Sequence, residues 1–368
     1  MTGNAPPFGV WPGAVEFEAG QRLLMELTHW TPPGGVVSVY LAIDPGDRGE
    51  GWRIELRDQL EDVDEAAARR VLERFPSDTP THGRTHIGFL EVDGEAREVW
   101  ETVQVALQRT EVVQRRRPYV TPLMRILDDG WPVGVVVVAL ERVRMLEWVL
   151  GEITELDGWE IELPDLDWQE RKSPQRNPQA GGTGTTASRR DQHAQRLEHN
   201  RDRFLKQAGE LVAAQHGDRP WRRIIVIGDG DRPRLLAAGL GAKRKLVHEI
   251  RHDLIRAGAP EIGARVGEEM VHLNRTREEE LVAQLEQAIG SDVGAALGLE
   301  EVLQVLGEGR ARHVIFDATR SWDGDDSVPA GELMIERALA TSALVTPVEG
   351  LAATALAAHG GAAALLRY

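Results

Sequence analysis

Three short apolar runs close the chain: Ala311-Arg312-His313-Val314-Ile315-Phe316-Asp317, Ala343-Leu344-Val345-Thr346 and Ala362-Ala363-Ala364-Leu365-Leu366-Arg367. Each is of strand length and is bounded by glycine, proline or charged residues, the pattern of buried strands. The stretches between them, Leu299 to Leu306, Glu332 to Ala340 and Leu351 to Ala358, have helical periodicity, and a further helix over Thr276 to Ile289 precedes them. Alternation this regular predicts a small three-layer α/β/α domain over residues 273–368.

The segment before it, residues 131–272, repeats the α/β theme on a different plan. Val133 to Leu140 is Val-rich and reads as a central strand, and Glu141 to Leu150 as a second strand after a short turn. From Ser173 to Ser188 the chain is rich in Pro, Gln, Asn, Gly and Thr, with no apolar residue larger than alanine. That composition predicts a mobile loop of about 16 residues, longer than most connections in compact domains. A long helix follows. Ala194, Leu197, Phe204, Ala208 and Leu211 are expected on one face, with Arg189, His193, Arg196, Asn200 and Arg203 on the other. Arg222 to Gly230 is then a strand entering a Gly/Asp turn, and Pro233 opens a short helix.

Residues 1–130 form the first segment. After a Pro/Gly-rich entry, Val36 to Ile43 reads as a buried strand that ends at Asp44-Pro45-Gly46. Helices are expected over Trp52 to Leu60, over Glu65 to Phe75 (apolar face Ala66, Leu72, Phe75) and over Pro118 to Leu127. A second strand is expected over His86 to Val92, turning at Asp93-Gly94. No internal repeat relates the three segments.

Composition narrows the function classes. Hydrophobic residues make up 42% and charged residues 28% of the 368, the balance of a folded soluble protein. The longest apolar run, Val133 to Leu140, is far short of the roughly 20 residues a membrane helix needs. The N-terminus lacks a signal-peptide pattern, and the chain has no cysteine, so a cytoplasmic protein without disulfide or thiolate chemistry is expected. A net charge of −16 argues against broad coating of DNA and against a membrane surface, but not against a nucleic acid met by one local patch. Only four of the 43 basic side chains are lysines: Lys172, Lys206, Lys243 and Lys245.

Such a patch exists at the loop–helix junction. From Arg171 to Lys206 there are nine basic residues against three acidic ones (Asp191, Glu198, Asp202), a net +6 within a chain of −16. A solvated helix face would also carry charge, but a local reversal of this size beside a glycine-rich loop is what a phosphate backbone requires. Gly181-Gly182-Thr183-Gly184 lacks the Gly-Lys-Ser/Thr of a P-loop, and Gly228-Asp229-Gly230 lacks the third glycine of a dinucleotide site. His248 and His252, read as one helix face, lack an HExxH pattern. Asp317 to Asp326 lacks EF-hand spacing. No metal and no cofactor are expected, and no Ser/His/Asp triad can be assembled.

Three stretches carry a family resemblance. They are the ending His359-Gly360-Gly361-Ala362-Ala363-Ala364-Leu365-Leu366-Arg367-Tyr368 with Ala340 to Gly350 before it; the strand Ser38-Val39-Tyr40-Leu41 with Asp44-Pro45; and the central strand, glycine loop and basic helix followed by Gly228-Asp229. In this order they resemble the bacterial archaeo-eukaryotic-type release factors, related to archaeal and eukaryotic class-1 peptide release factors and to pelota. The resemblance implies an N-terminal domain, a central ribonuclease-H-like domain and a C-terminal domain like the kink-turn-binding ribosomal proteins. It also implies a factor that binds the ribosomal A site, rRNA and tRNA, with a translational GTPase as a candidate partner. In true release factors the central loop carries Gly-Gly-Gln, whose glutamine promotes ester hydrolysis. Here Gly181 and Gly182 match the glycines and Thr183 takes the glutamine's place, with Gln179 just upstream. The resemblance makes Arg189, Arg190, Arg196, Arg203 and Lys206 the RNA-binding residues, and ribosome rescue, hibernation or quality control the expected role. Two alternatives stand beside it: a peptidyl-tRNA hydrolase or tRNA nuclease acting through the 173–188 loop, and a non-translational α/β protein whose basic helix meets another acidic partner.

Overall fold

A computed structural model describes residues 12–43, 51–75, 83–93, 97–140, 142–160, 186–216, 219–289, 294–320, 322 and 329–368. The first segment contains α1 (Pro12–Thr28), β1 (Val36–Ala42), α2 (Gly51–Gln59), α3 (Glu65–Arg74), β2 (Thr85–Glu91), β3 (Glu98–Val103), β4 (Glu111–Arg115) and α4 (Thr121–Asp129). The middle contains β5 (Val133–Val138), β6 (Arg142–Val149), β7 (Glu152–Glu160), α5 (Thr186–His216), β8 (Arg223–Gly228), α6 (Arg232–Gly239), a 3-10 helix (Gly241–Leu246) and β9 (Val247–Arg251). Then come α7 (Ala259–Ile289), β10 (Ala295–Leu297), α8 (Gly298–Gly307), β11 (Ala311–Asp317), α9 (Ala330–Ala340), β12 (Leu344–Val348), α10 (Gly350–Ala357) and β13 (Ala362–Leu366). The protein is α/β, with one sheet in each segment.

These elements form two compact units, one of residues 1–131, 149–152 and 265–368, the other of 132–148 and 153–264. In the first unit the N-terminal sheet has the order β3-β2-β1-β4, and every pair is antiparallel. Alternation along β1 buries both faces. Val37, Val39 and Leu41 pack with Leu56 of α2 and Ala67 and Val71 of α3, while Val36 and Tyr40 join Phe17, Leu24, Ile126 and Leu127 of α1 and α4. The C-terminal sheet has the order β10-β13-β11-β12, with β11 and β12 parallel and the other pairs antiparallel. Ile315, Ala363 and Leu365 face α7 and α10, whereas Val314, Phe316, Ala362 and Ala364 face α8 and α9. This is the expected three-layer arrangement. The α8–α9 side and the α1–α4 side are one continuous apolar cluster, so the first and third segments share a core.

Polar contacts reinforce that shared core along residues 115–129. Arg117 Nη1 lies 2.8 Å from Glu336 Oε2, and Thr121 Oγ1 donates to buried Glu332 at 3.1 Å. Arg277 Nη2 pairs with Asp128 at 2.6 Å, Asn274 donates to the Asp129 carbonyl, and Arg125 pairs with Glu349.

The second unit holds a five-stranded sheet of order β7-β6-β5-β8-β9, in which β5 pairs antiparallel with β6 and parallel with β8, and β8 parallel with β9. Three consecutive strands on one side of the sheet and two parallel strands on the other is the ribonuclease-H-like plan. Leu150 and Gly151 have φ of 50° and 87°, as in the two-residue turn that joins twisted antiparallel strands.

Several expectations are corrected. The third-segment helix begins at Ala259, not Thr276. His248 lies in β9 and His252 just after it, so the two do not share a helix face. The buried face of α3 is Ala67 and Val71, with Leu72 39% exposed. The helix α5 begins at Thr186, inside the stretch read as loop. Among its described residues Leu205, Ala208, Gly209 and Val212 are buried, and Leu211 is 48% exposed.

Candidate functional site

The C-terminal half of α5 is held by backbone packing. Gly209 and Gly239 face each other where α5 crosses α6: a Cβ built on Gly209 would overlap the Leu236 carbonyl oxygen and come 2.9 Å from Gly239 Cα. A Cβ on Gly239 would overlap the Lys206 carbonyl and come 3.0 Å from Gly209 Cα. Two glycines thus let the helix axes approach more closely than any side chain would allow. Around this crossing Leu205, Ala208 and Val212 pack on Val136, Val226 and Leu236. Lys243 Nζ donates to the Ala213 carbonyl of α5 at 2.8 Å.

Gly209→Ala is therefore expected to destabilise the protein by about 1–3 kcal/mol through overpacking. Gly267→Ala in α7, where an added Cβ meets nothing within 4 Å, is expected to stabilise by about 0.5–1 kcal/mol, the ordinary helix preference. Urea denaturation of both variants checks the pair. A Gly209→Ala variant as stable as the wild type would show that the crossing is not tight.

This anchoring presents two of the sequence-derived site residues, Arg203 and Lys206, as exposed side chains on α5. Arg189, Arg190 and Arg196 lie on the same helix, with their side chains outside the described residues. Gln179, Gly181, Gly182 and Thr183, with most of the 173–188 loop, lie outside the described residues as well.

The central sheet also carries buried ionic groups that the sequence reading passed over. Glu147 on β6 and Arg219 are 3% and 4% exposed and pair at 2.9 Å. Glu147 also accepts the indole N–H of Trp221 at 2.6 Å, and that ring lies on Gly134, where a Cβ would stand 2.5 Å from its Cζ3. Arg144 holds Glu155 with both branches of its guanidinium (2.8 and 2.9 Å) and donates to the Ile255 and Ala257 carbonyls. The hydrogen bonds from Arg144 lower the carboxyl pKa of Glu155, and the same bonds raise the Arg144 pKa. Signals existed: Glu147 interrupts the apolar run Met145-Leu146-Glu147-Trp148-Val149.

In the first unit, Arg125 and Arg277 lie among the carboxylates of Asp128, Asp129, Glu278 and Glu349. Burial, and then repulsion from Asp129, pushes Glu278 up to about 7. Burial, only partly offset by Arg125, also raises Asp129. Glu332, buried beside Thr121, is raised by desolvation against the attraction of Arg115. Among the described residues no group of three His, Asp or Glu could hold a metal ion. Among the same residues no helix is long and apolar enough to cross a membrane.

The central unit thus joins a ribonuclease-H-like sheet to a long helix with basic residues between β7 and β8, and an α/β/α layer follows it in the chain. The model of bacterial archaeo-eukaryotic release factor family 10 matches residues 118–270, which include the central sheet, the glycine loop and α5. Over that span the chain is similar to the bacterial archaeo-eukaryotic release factors. No curated protein matches it. Among solved structures it is similar to an archaeal translation termination factor, aRF1 (18% identity, 96% of this chain and 98% of that one, TM-score 0.25). It is also similar to Archaeoglobus fulgidus Pelota (13%, 94% and 91%, TM-score 0.38) and to S. cerevisiae Dom34, a translation termination-like factor (10%, 95% and 92%, TM-score 0.43).

Proposed function

We propose that the protein is a ribosome-associated translation factor that enters the A site as release factors do, with the 173–188 loop directed toward the tRNA acceptor end. The observation that carries the reading is the family match over 118–270, because that span contains the +6 window from Arg171 to Lys206. Arg189, Arg190, Arg196, Arg203 and Lys206 contact rRNA or tRNA phosphates in this reading. Thr183 supplies no carboxamide where the glutamine of Gly-Gly-Gln would position water and ester, so the role is rescue, hibernation or quality control rather than ordinary termination. The three sheets act as three domains, divided near residues 130 and 272. A translational GTPase is a further partner proposed on the resemblance alone.

Co-sedimentation with ribosomes across a salt series tests the reading. Wild-type binding is expected to weaken steeply with salt, and the quadruple variant Arg189→Glu, Arg190→Glu, Arg196→Glu, Arg203→Glu to lose binding at every salt. Each lost phosphate contact removes roughly one from the slope of log affinity against log salt. No ribosome binding by the wild type at low salt would sink the proposal. A release assay on stalled complexes, wild type against a 173–188 deletion, tests the hydrolase alternative: peptide release that needs the loop would move the function to that reading.

A further inference from the structure

At the far end of the basic window on α5, two of its cations are joined by two more from a distant part of the sequence. Arg244 and Lys245 are exposed on the 3-10 helix Gly241–Leu246, and Arg203 and Lys206 are exposed on α5. The glycine crossing brings these two elements side by side. The Lys206 carbonyl abuts Gly239, and four residues further along the chain Lys243 Nζ reaches the Ala213 carbonyl at 2.8 Å. Residues 239–243 therefore run beside residues 206–213 of α5 and set Arg244 and Lys245 next to that helix. Lys243 is committed to α5 and serves as the strut. Asp202 and Glu210 are the acidic residues on this part of α5, against four exposed cations.

Length decides what could bind here. Arg189 and Lys206 are 17 residues apart on one helix, about 26 Å at 1.5 Å per residue. A small anion or a tRNA terminus at the loop end cannot reach the second group, whereas an extended polyanion can. An acidic protein surface is a poorer fit, because exposed cations set along and beside one helix match a continuous line of phosphates better than scattered carboxylates.

We propose that Lys206, Arg244 and Lys245, with Arg203, form a ridge that binds the phosphate backbone of an RNA duplex, separate from whatever the glycine loop meets. This deepens the proposed function and rests on it for the identity of the RNA as ribosomal. Binding is backbone-directed and indifferent to sequence, since lysine and arginine on an exposed helix reach phosphates more readily than the deep groove of A-form RNA.

The scarcity of lysine makes the test clean. With four lysines in the chain, amine acylation read by mass spectrometry reports each one separately. The full-length protein is labelled with and without a 20-base-pair RNA duplex of arbitrary sequence. Lys206 and Lys245 are expected to be protected severalfold, and Arg244→Glu/Lys245→Glu to weaken duplex binding at least tenfold while leaving the thermal midpoint unchanged. Equal labelling with and without RNA, or unchanged affinity of the double variant, would overturn the ridge. Ribosome co-sedimentation separates the two ideas. Binding by wild type and by Arg244→Glu/Lys245→Glu alike removes the ridge and keeps the ribosome reading. Duplex protection without ribosome binding keeps the ridge and removes the ribosome.

Discussion

Replacing Glu147 with methionine is expected to cost the central unit about 3–5 kcal/mol, the usual penalty for removing one partner of a buried ion pair. The carboxylate accepts from Arg219 at 2.9 Å and from the Trp221 indole at 2.6 Å, and both members of the ion pair are almost fully buried. Methionine fits the volume, so the loss is electrostatic rather than steric. Glu147→Gln keeps an acceptor for the indole and gives up only the charge, so a smaller loss is expected. Because Trp221 covers Gly134 on β5, loosening it should expose the β5–β8 pairing first. Hydrogen exchange on Val135 to Val137 and Ile224 to Ile227 reads this directly, and urea titration gives the magnitude. A change below about 1 kcal/mol in Glu147→Met would mean that the pair contributes no more than a surface bridge.

The second large effect is a pH dependence located in Glu278. An ordinary glutamate titrates near 4.5 and this one near 7, so the folded protein holds the proton more tightly than the unfolded chain does. A raised acid contributes stability that is complete below the unfolded value and is lost as pH rises through the folded one. The window is thus about pH 4.5 to 7, and stability falls across it. Above it, ionised Glu278 is desolvated and repelled by Asp129 and Asp128, against the attraction of Arg125 and Arg277 and a hydrogen bond from the Glu349 backbone N–H, and Asp129, raised in the same direction, adds to the fall. Glu278→Gln has the same shape and no charge. It is expected to match the wild type near pH 5 and to melt several degrees higher at pH 8, with a flatter profile between. Parallel wild-type and variant melting curves across this range would show that the proton does not sit on Glu278.

What could be read from residues alone follows a physical divide. β11 and β13 were legible because strands buried on both faces are continuous apolar runs, and the observed spans lie within a residue of the expected ones. β3 (Glu-Val-Trp-Glu-Thr-Val) and β9 (Val-His-Glu-Ile-Arg) were not, because both stand at sheet edges, where Ile250 is the one buried residue of β9 and no residue of β3 is buried. The helix α1 was hidden behind a Pro/Gly-rich entry, although proline is welcome in a first helical turn. The face of α5 was misread because its burial follows Leu205, Ala208 and Val212, set by the glycine crossing, rather than the largest apolar residues. The same divide runs through the site. The arginines of α5 announce themselves as a charge reversal within one window, but Arg244 and Lys245 lie some forty residues away and join them only through Gly209 and Gly239. Glycine pairs of this kind leave no periodic signature.

The apolar cluster shared by the first and third segments bears on synthesis of the chain. Phe17, Tyr40 and Leu127 cannot complete their packing until Val314, Met334 and Val345 exist, about 190 to 330 residues later. At translation rates of 5–20 residues per second, the α1–α4 side of the first sheet waits about ten to fifty seconds for its covering layer. A nascent chain of this protein would thus carry an open greasy surface through most of its own elongation, and early truncation should leave products that chaperones retain or proteases remove.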